Sequence, residues 1–184
     1  MQPKLVSVQP FTVSGISVRT VNYDEFDSSK AKLPTLWGEF HGQNIAEHVP
    51  NKLNDSPIYG VYSEYESDAS GQYTVTAGIA VNTTTSEYIS TPVVGGQYMV
   101  FESDGEMPQA VIDGWSSVWK YFAKPQKYMR TFTLISRNIE SQVAPLSSYR
   151  FLKKMSNKSF QRAIASSRRR QNSFNVLVHY TALV

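Results

Sequence analysis

The hydrophobic spacing of this chain changes period in one order and then begins that order again. Val6, Val8, Phe11, Val13, Ile16, Val18 and Val21 alternate with polar residues, and the phase slips near Pro10 and at Gly15. That is strand periodicity with a bend or bulge at each slip. After Asp27-Ser28-Ser29 the period becomes helical: Leu33, Leu36, Trp37 and Phe40 share a face, Pro34 suits the first turn, and Gly42 and Pro50 bound the end. Ile58 to Tyr65 and Tyr73 to Val81 read as a hairpin around Asp68-Ala69-Ser70-Gly71. Gln97 to Glu102 then starts again as a strand. Met107, Val111, Trp115, Val118 and Phe122 form a second helical face, with Trp119 beside it, and Pro125 stops that helix. Tyr128 to Ile135 supplies the next strand. The expectation is an α+β fold: a duplicated strand-helix-strand-strand unit forming an antiparallel sheet, with helices on one face and a concave cleft between the halves.

The repeat fails beyond about Ser136, and the charge changes near the same place. Residues 1–124 hold 7 Lys/Arg against 14 Asp/Glu, whereas residues 125–184 hold 11 Lys/Arg and the single acid Glu140. The formal charge of +3 therefore averages an acidic part and a basic one. Residues 1–135 are expected to form the domain, its second half incomplete. Residues 136–184 read as a basic tail of low pattern, frameshifted or disordered. Val176 to Val184 is the one late stretch with strand character.

Several chemistries are excluded or left without support. With no cysteine there is no disulfide scaffold, thiol nucleophile or cysteine-ligated metal. His41, His48 and His179 are scattered, no His-Glu-x-x-His occurs, and Gly95-Gly96 lacks the Lys-Ser/Thr of a phosphate loop. No metal or cofactor is expected, and no Gly-x-Ser-x-Gly elbow suggests a hydrolase. No apolar run approaches the ~20 residues of a membrane span, and the N-terminus lacks the apolar core of a secretion signal. A cytoplasmic protein without a membrane partner is expected.

Four stretches carry a resemblance. Leu36-Trp37-Gly38-Glu39-Phe40, Ile58 to Glu66, Gly71-Gln72-Tyr73-Thr74 through Gly78, and Ala110 to Trp115 through Trp119 together resemble the GyrI-like effector-binding domain of AraC-type and MerR-type regulators. More narrowly they resemble its free-standing version encoded on integron cassettes. That resemblance implies a stand-alone module, not an enzyme, that binds amphipathic, cationic aromatic compounds between its halves and acts in transcription regulation or drug response. It implies a DNA-binding regulator as a further partner. The residues fit such a ligand, because a flat lipophilic cation needs π surface and a negative field. Trp37, Tyr59, Tyr62, Tyr65, Tyr73, Tyr98, Phe101, Trp115 and Trp119 supply the aromatics, and of these Trp37, Tyr59, Tyr62, Tyr98, Phe101, Trp115 and Trp119 are the candidate ligand-binding residues. The competing reading makes most of Trp37, Phe40, Trp115 and Trp119 core packing and favours Tyr59 and Tyr98, since tyrosines on strands keep a polar tip while offering a ring.

The resemblance breaks at Leu134-Ile135-Ser136-Arg137-Asn138-Ile139-Glu140, where the family typically carries Asp-Phe-Glu-x-Tyr with its glutamate facing the ligand. One synonymous coding of these seven residues reads Asp-Phe-Glu-Lys-Tyr-Arg in a neighbouring frame. A frame shift close to Phe132–Leu134 is the corresponding expectation. Glu140 is displaced from the motif; Glu39, Glu64 and Glu102 are the other acids that could face the ligand. Two alternatives stand beside the binding module: a hydrolase of the same fold, and non-specific nucleic-acid binding through Lys153, Lys154, Lys158, Arg162 and Arg168 to Arg170. Aromatics are sparse in that tail, so base readout by it is not expected.

Overall fold

The computed structural model describes residues 3–67, 70–105, 109–123, 129–139 and 148–156, the last two segments through their backbone. Eight strands and four helices follow in the order β1 (Lys4–Val8), β2 (Phe11–Thr20), α1 (Asn22–Glu25), α2 (Leu33–Gly42), α3 (Ile45–His48), β3 (Ile58–Ser63), β4 (Tyr73–Val81), β5 (Ile89–Val93), β6 (Gly96–Asp104), α4 (Gln109–Phe122), β7 (Met129–Ile139) and β8 (Ser148–Ser156). All strands join one antiparallel sheet in the order β1-β6-β8-β7-β3-β4-β2-β5. The fold is α+β. The triplets β2-β4-β3 and β6-β8-β7 have the same internal order, and they meet where β3 pairs with β7.

Two short connections dictate the shape of this sheet. β1 and β2 stand six places apart in the strand order, yet only Gln9 and Pro10 join them. β5 and β6 are equally far apart and only Val94 and Gly95 join them. Two linking residues span roughly 11 Å at full stretch. The sheet must therefore curl until its two ends approach. Its inner face holds a core of Val13, Tyr59, Val61, Ala80, Val93, Tyr98 and Val100. The outer face carries the helices over a larger core that includes Leu36, Phe40, Tyr62, Tyr73, Val75, Met99, Phe101 and Val118.

With both faces covered, the phase slip at Gly15 has a different cause from the bulge expected there. β2 runs unbroken from Phe11 to Thr20 in continuous register with β4. Val13 points into the inner core, while Ile16 and Val18 pack on the outer one. Apolar residues at both parities follow from burial on both faces. The bend near Pro10 does separate two strands.

The sheet also extends past the boundary expected at residue 135. β7 continues to Ile139, and β8 lies between β6 and β7, paired with both along its length. The β7–β8 register shifts between Arg130 and Leu134, close to the point singled out by the frame reading. Val176–Val184 lies outside the described residues.

One buried acid organises the start of α2. Glu25 is 9% exposed, and its carboxylate accepts the backbone N–H of Lys32 and of Leu33, both at 3.1 Å, together with the Thr20 hydroxyl. α2 has no side-chain cap of its own, so this distant carboxylate takes that part. Glu25→Ala should leave two N–H groups and a buried hydroxyl without partners. We expect a loss of about 2 kcal/mol, read from denaturant midpoints, with Glu25→Gln losing less. An unchanged midpoint for the alanine variant would show that water replaces the carboxylate.

Candidate functional site

Among the described residues, the two longer helices rest on different strands of the sheet, with a gap between them. α2 packs on β2 and β4, and α4 packs on β6 and β8. Between them lie β3 and β7, the two strands that join the halves. Alternation places Tyr62 on the outer face of β3, at the floor of this gap. Its partners in register continue the floor: Tyr62 stands opposite Leu134, and Gly60 opposite Ser136.

An aromatic ladder crosses the gap. Trp115 of α4 meets Tyr62 edge-on, with centroids 5.2 Å apart. Tyr62 stacks with Tyr73 at 5.9 Å, and Tyr73 with Tyr65 at 5.1 Å. The inner rings are enclosed, Tyr62 being 7% and Tyr73 1% exposed. Trp115 and Tyr65 are half-buried at the two ends. The Tyr73 hydroxyl donates to Asn22 Oδ1 at 3.0 Å, which fixes the ring between its neighbours. Such ring contacts are worth about 0.5–1.5 kcal/mol each beyond burial, and the ring faces present negative π density.

Of the seven residues singled out from the sequence, Tyr62 and Trp115 touch each other in this ladder. Trp37 lies on α2, half-buried against the same outer core, with its ring 5.8 Å from Phe40 and 6.0 Å from His41. Phe101 is buried beneath α4, packed on Tyr121 and Phe122. Trp119 sits one turn beyond Trp115 on α4, half-buried. Tyr59 and Tyr98 belong to the inner core and do not share the gap. Tyr59 lies against Phe11 at 5.1 Å. Tyr98 is fully buried, its hydroxyl donates to the Val94 carbonyl at 2.6 Å, and burial pushes its pKa up to about 12. Its polar tip is thus used within the fold.

Tyr65 and Tyr73, counted among the aromatics of the sequence but not among its seven candidate ligand-binding residues, join the ladder. The signal for Tyr73 lies in strand parity. Ser63 pairs with Thr74, so Tyr62 and Tyr73 fall on one face as diagonal neighbours. The three acids considered from the sequence stand elsewhere. Glu39 is exposed on α2. Glu64, in a left-handed backbone conformation (φ 50°), accepts the Thr74 hydroxyl at 2.8 Å, on the face opposite Tyr73. Glu102 pairs with Lys4 at 3.5 Å. Among the described residues, no helix is long and apolar enough to cross a membrane.

The comparisons with known proteins agree with this architecture. The sequence profile of Cass2, described as an integron-associated effector binding protein, matches residues 4–165. An integron cassette protein from the mobile metagenome of Vibrio cholerae has a similar structure, with a TM-score of 0.71 and 33% identity over 84% of this chain and 96% of its own. The structure of SAV2435 bound to tetraphenylphosphonium has the same fold, with a TM-score of 0.66 at 18% identity, over 84% of this chain and 94% of its own. YobU of Bacillus subtilis, described as a candidate transcriptional regulator, is 27% identical over 124 residues, 65% of this chain and 75% of its own.

Proposed function

Because this chain belongs to the Cass2 family of integron-associated effector-binding proteins, we propose that it binds amphipathic, cationic aromatic small molecules as a free-standing sensor, linked to transcription regulation or drug response. The observation that carries this reading is the ladder Tyr65–Tyr73–Tyr62–Trp115, which links α4 in one half to β3 and β4 in the other. The half-buried rings at its two ends, Tyr65 and Trp115, suit a lipophilic cation, because dispersion and the ring quadrupoles act together. The tetraphenylphosphonium bound by SAV2435, a protein of the same fold, belongs to this ligand class.

Ligand seated on the ladder touches Trp115, so its tryptophan emission reports binding. Tetraphenylphosphonium should quench it at concentrations where tetraphenylborate, of the same shape and opposite charge, does not. Tyr62→Leu keeps an apolar side chain and removes the ring face; it should weaken phosphonium binding about tenfold. Trp115→Phe should keep binding while losing most of the quench. Equal binding of the borate and the phosphonium would refute the assignment of a cation site.

A further inference from the structure

Resting on that reading, we infer that Glu64 is a positioning residue for the ligand site. Its left-handed backbone turns Tyr65 onto the ladder, and a polar clamp on the opposite face of the sheet holds that turn. Strand alternation alone would send Tyr65 elsewhere. Along β3, Tyr62 lies on the outer face, and Ser63, opposite Thr74, lies on the inner one. Continued alternation puts residue 64 outside and residue 65 inside. The structure has the reverse. Glu64 reaches Thr74 on the inner face, and Tyr65 stacks on Tyr73 over the outer core, with 5.1 Å between ring centroids. The exchange of faces occurs at Glu64, whose φ of 50° is one that a glutamate adopts only at a cost.

A residue in that conformation persists where its surroundings hold it there. The Thr74 hydroxyl donates to Glu64 Oε2 at 2.8 Å. Arg19 Nη1 donates to the Glu64 carbonyl at 3.3 Å and to Thr74 Oγ1 at 3.2 Å, while its Nε donates to Gln72 Oε1 at 3.0 Å. On the other side of Tyr65, the Glu66 N–H donates to the Gln72 carbonyl at 2.9 Å. The backbone is thus tied before Tyr65 by Arg19 of β2 and after it by Gln72, at the entry to β4.

This arrangement places the control of one ring on the face where that ring does not lie. Tyr65 is half-buried at the open end of the ladder, so a ligand can reach it. Glu64 is exposed and acts on the ligand through the direction in which Tyr65 leaves the chain. Local turns of this kind re-aim side chains beside binding sites.

Titration of tetraphenylphosphonium against tryptophan emission in the full chain separates positioning from direct contact. Tyr65→Leu should weaken binding about threefold to tenfold, the worth of one ring contact. Glu64→Val, whose β-branched side chain resists a positive φ, should weaken it by the same factor, and adding Tyr65→Leu should cost nothing further. Glu64→Gly adopts the turn freely and should bind within about twofold of the unaltered chain. Thr74→Val removes the hydroxyl at the centre of the clamp; it should weaken binding about twofold to threefold, and not at all beside Glu64→Gly. Unchanged binding in Tyr65→Leu or Glu64→Val, or losses from the two that multiply, would overturn the inference and leave the cation site standing. A loss in Glu64→Gly as large as in Glu64→Val would assign the effect to the carboxylate and also overturn it. Should Glu64→Val fail to fold, Thr74→Val decides: no loss, or a loss that persists beside Glu64→Gly, refutes the positioning role. If the unaltered chain binds no phosphonium, the ligand site and this inference fall together.

Discussion

A chain ended at residue 140 is expected to show no cooperative melting transition, whereas one ended at residue 165 should melt as the full chain does. β8 pairs with β6 from Tyr98 to Asp104 and with β7 from Met129 to Ile139, so it is an interior strand. Removing it divides the sheet into β1-β6 on one side and β7-β3-β4-β2-β5 on the other. Two new edges would then expose unpaired backbone groups, and α4 would lose one of the two strands it rests on. A domain's whole stability is only about 5–15 kcal/mol, and losing an interior strand exceeds it. The longer chain retains every described strand and the full span matched by the family profile. Circular dichroism melts and size-exclusion profiles of the two truncations provide the check. A cooperative melt for the shorter chain would show that β8 is not an interior strand.

How much of this was legible in the sequence depends on where each element buries its side chains. α2, β3, β4, β6 and α4 each have a clear apolar period, and the sequence places all five close to their observed spans. β8 reads Ser-Tyr-Arg-Phe-Leu-Lys-Lys-Met-Ser, with basic residues at both parities, so neither face looks apolar. β5 is a five-residue edge strand carrying Pro92, preceded by Asn82 to Ser86, and has the composition of a loop. Tyr59 and Tyr62 look alike in sequence, yet three positions along a strand put them on opposite faces. The curl of the sheet, set by the short links at Gln9-Pro10 and Val94-Gly95, makes one of those faces an enclosed core. Single-sequence periodicity carries no direct record of such a curl. The ladder depends on tertiary contact in the same way, since Trp115 and Tyr62 come from different halves.

The same substitution, glycine to alanine, should have opposite effects on β4 and on α2. Gly78 stands opposite Gly15 across the β2–β4 ladder. A Cβ on Gly78 would lie 2.3 Å from the Ser14 carbonyl oxygen and 2.9 Å from Val13 Cγ1; one on Gly15 would lie 2.0 Å from the Ala77 carbonyl oxygen. Neither glycine has a positive φ, so the requirement is space and not backbone conformation. The obstructing atoms are mainly backbone, and each strand is held on its far side, β2 by β5 and β4 by β3. Neither can withdraw without opening a ladder. Gly78→Ala is therefore expected to cost at least about 3 kcal/mol, at the upper end of overpacking penalties. Gly38 lies in the interior of α2, where an added Cβ would meet nothing within 4 Å, so Gly38→Ala should instead stabilise by roughly 0.5–1 kcal/mol. Denaturant midpoints of the two variants measure both signs. The close approach at Gly78 also bears on the ligand site, because β4 carries Tyr73 and pairs with the strand that carries Tyr62. If Gly78→Ala leaves the midpoint unchanged, β2 and β4 do not approach as closely as these distances require, and the stacking of Tyr73 on Tyr62 loses its mechanical support.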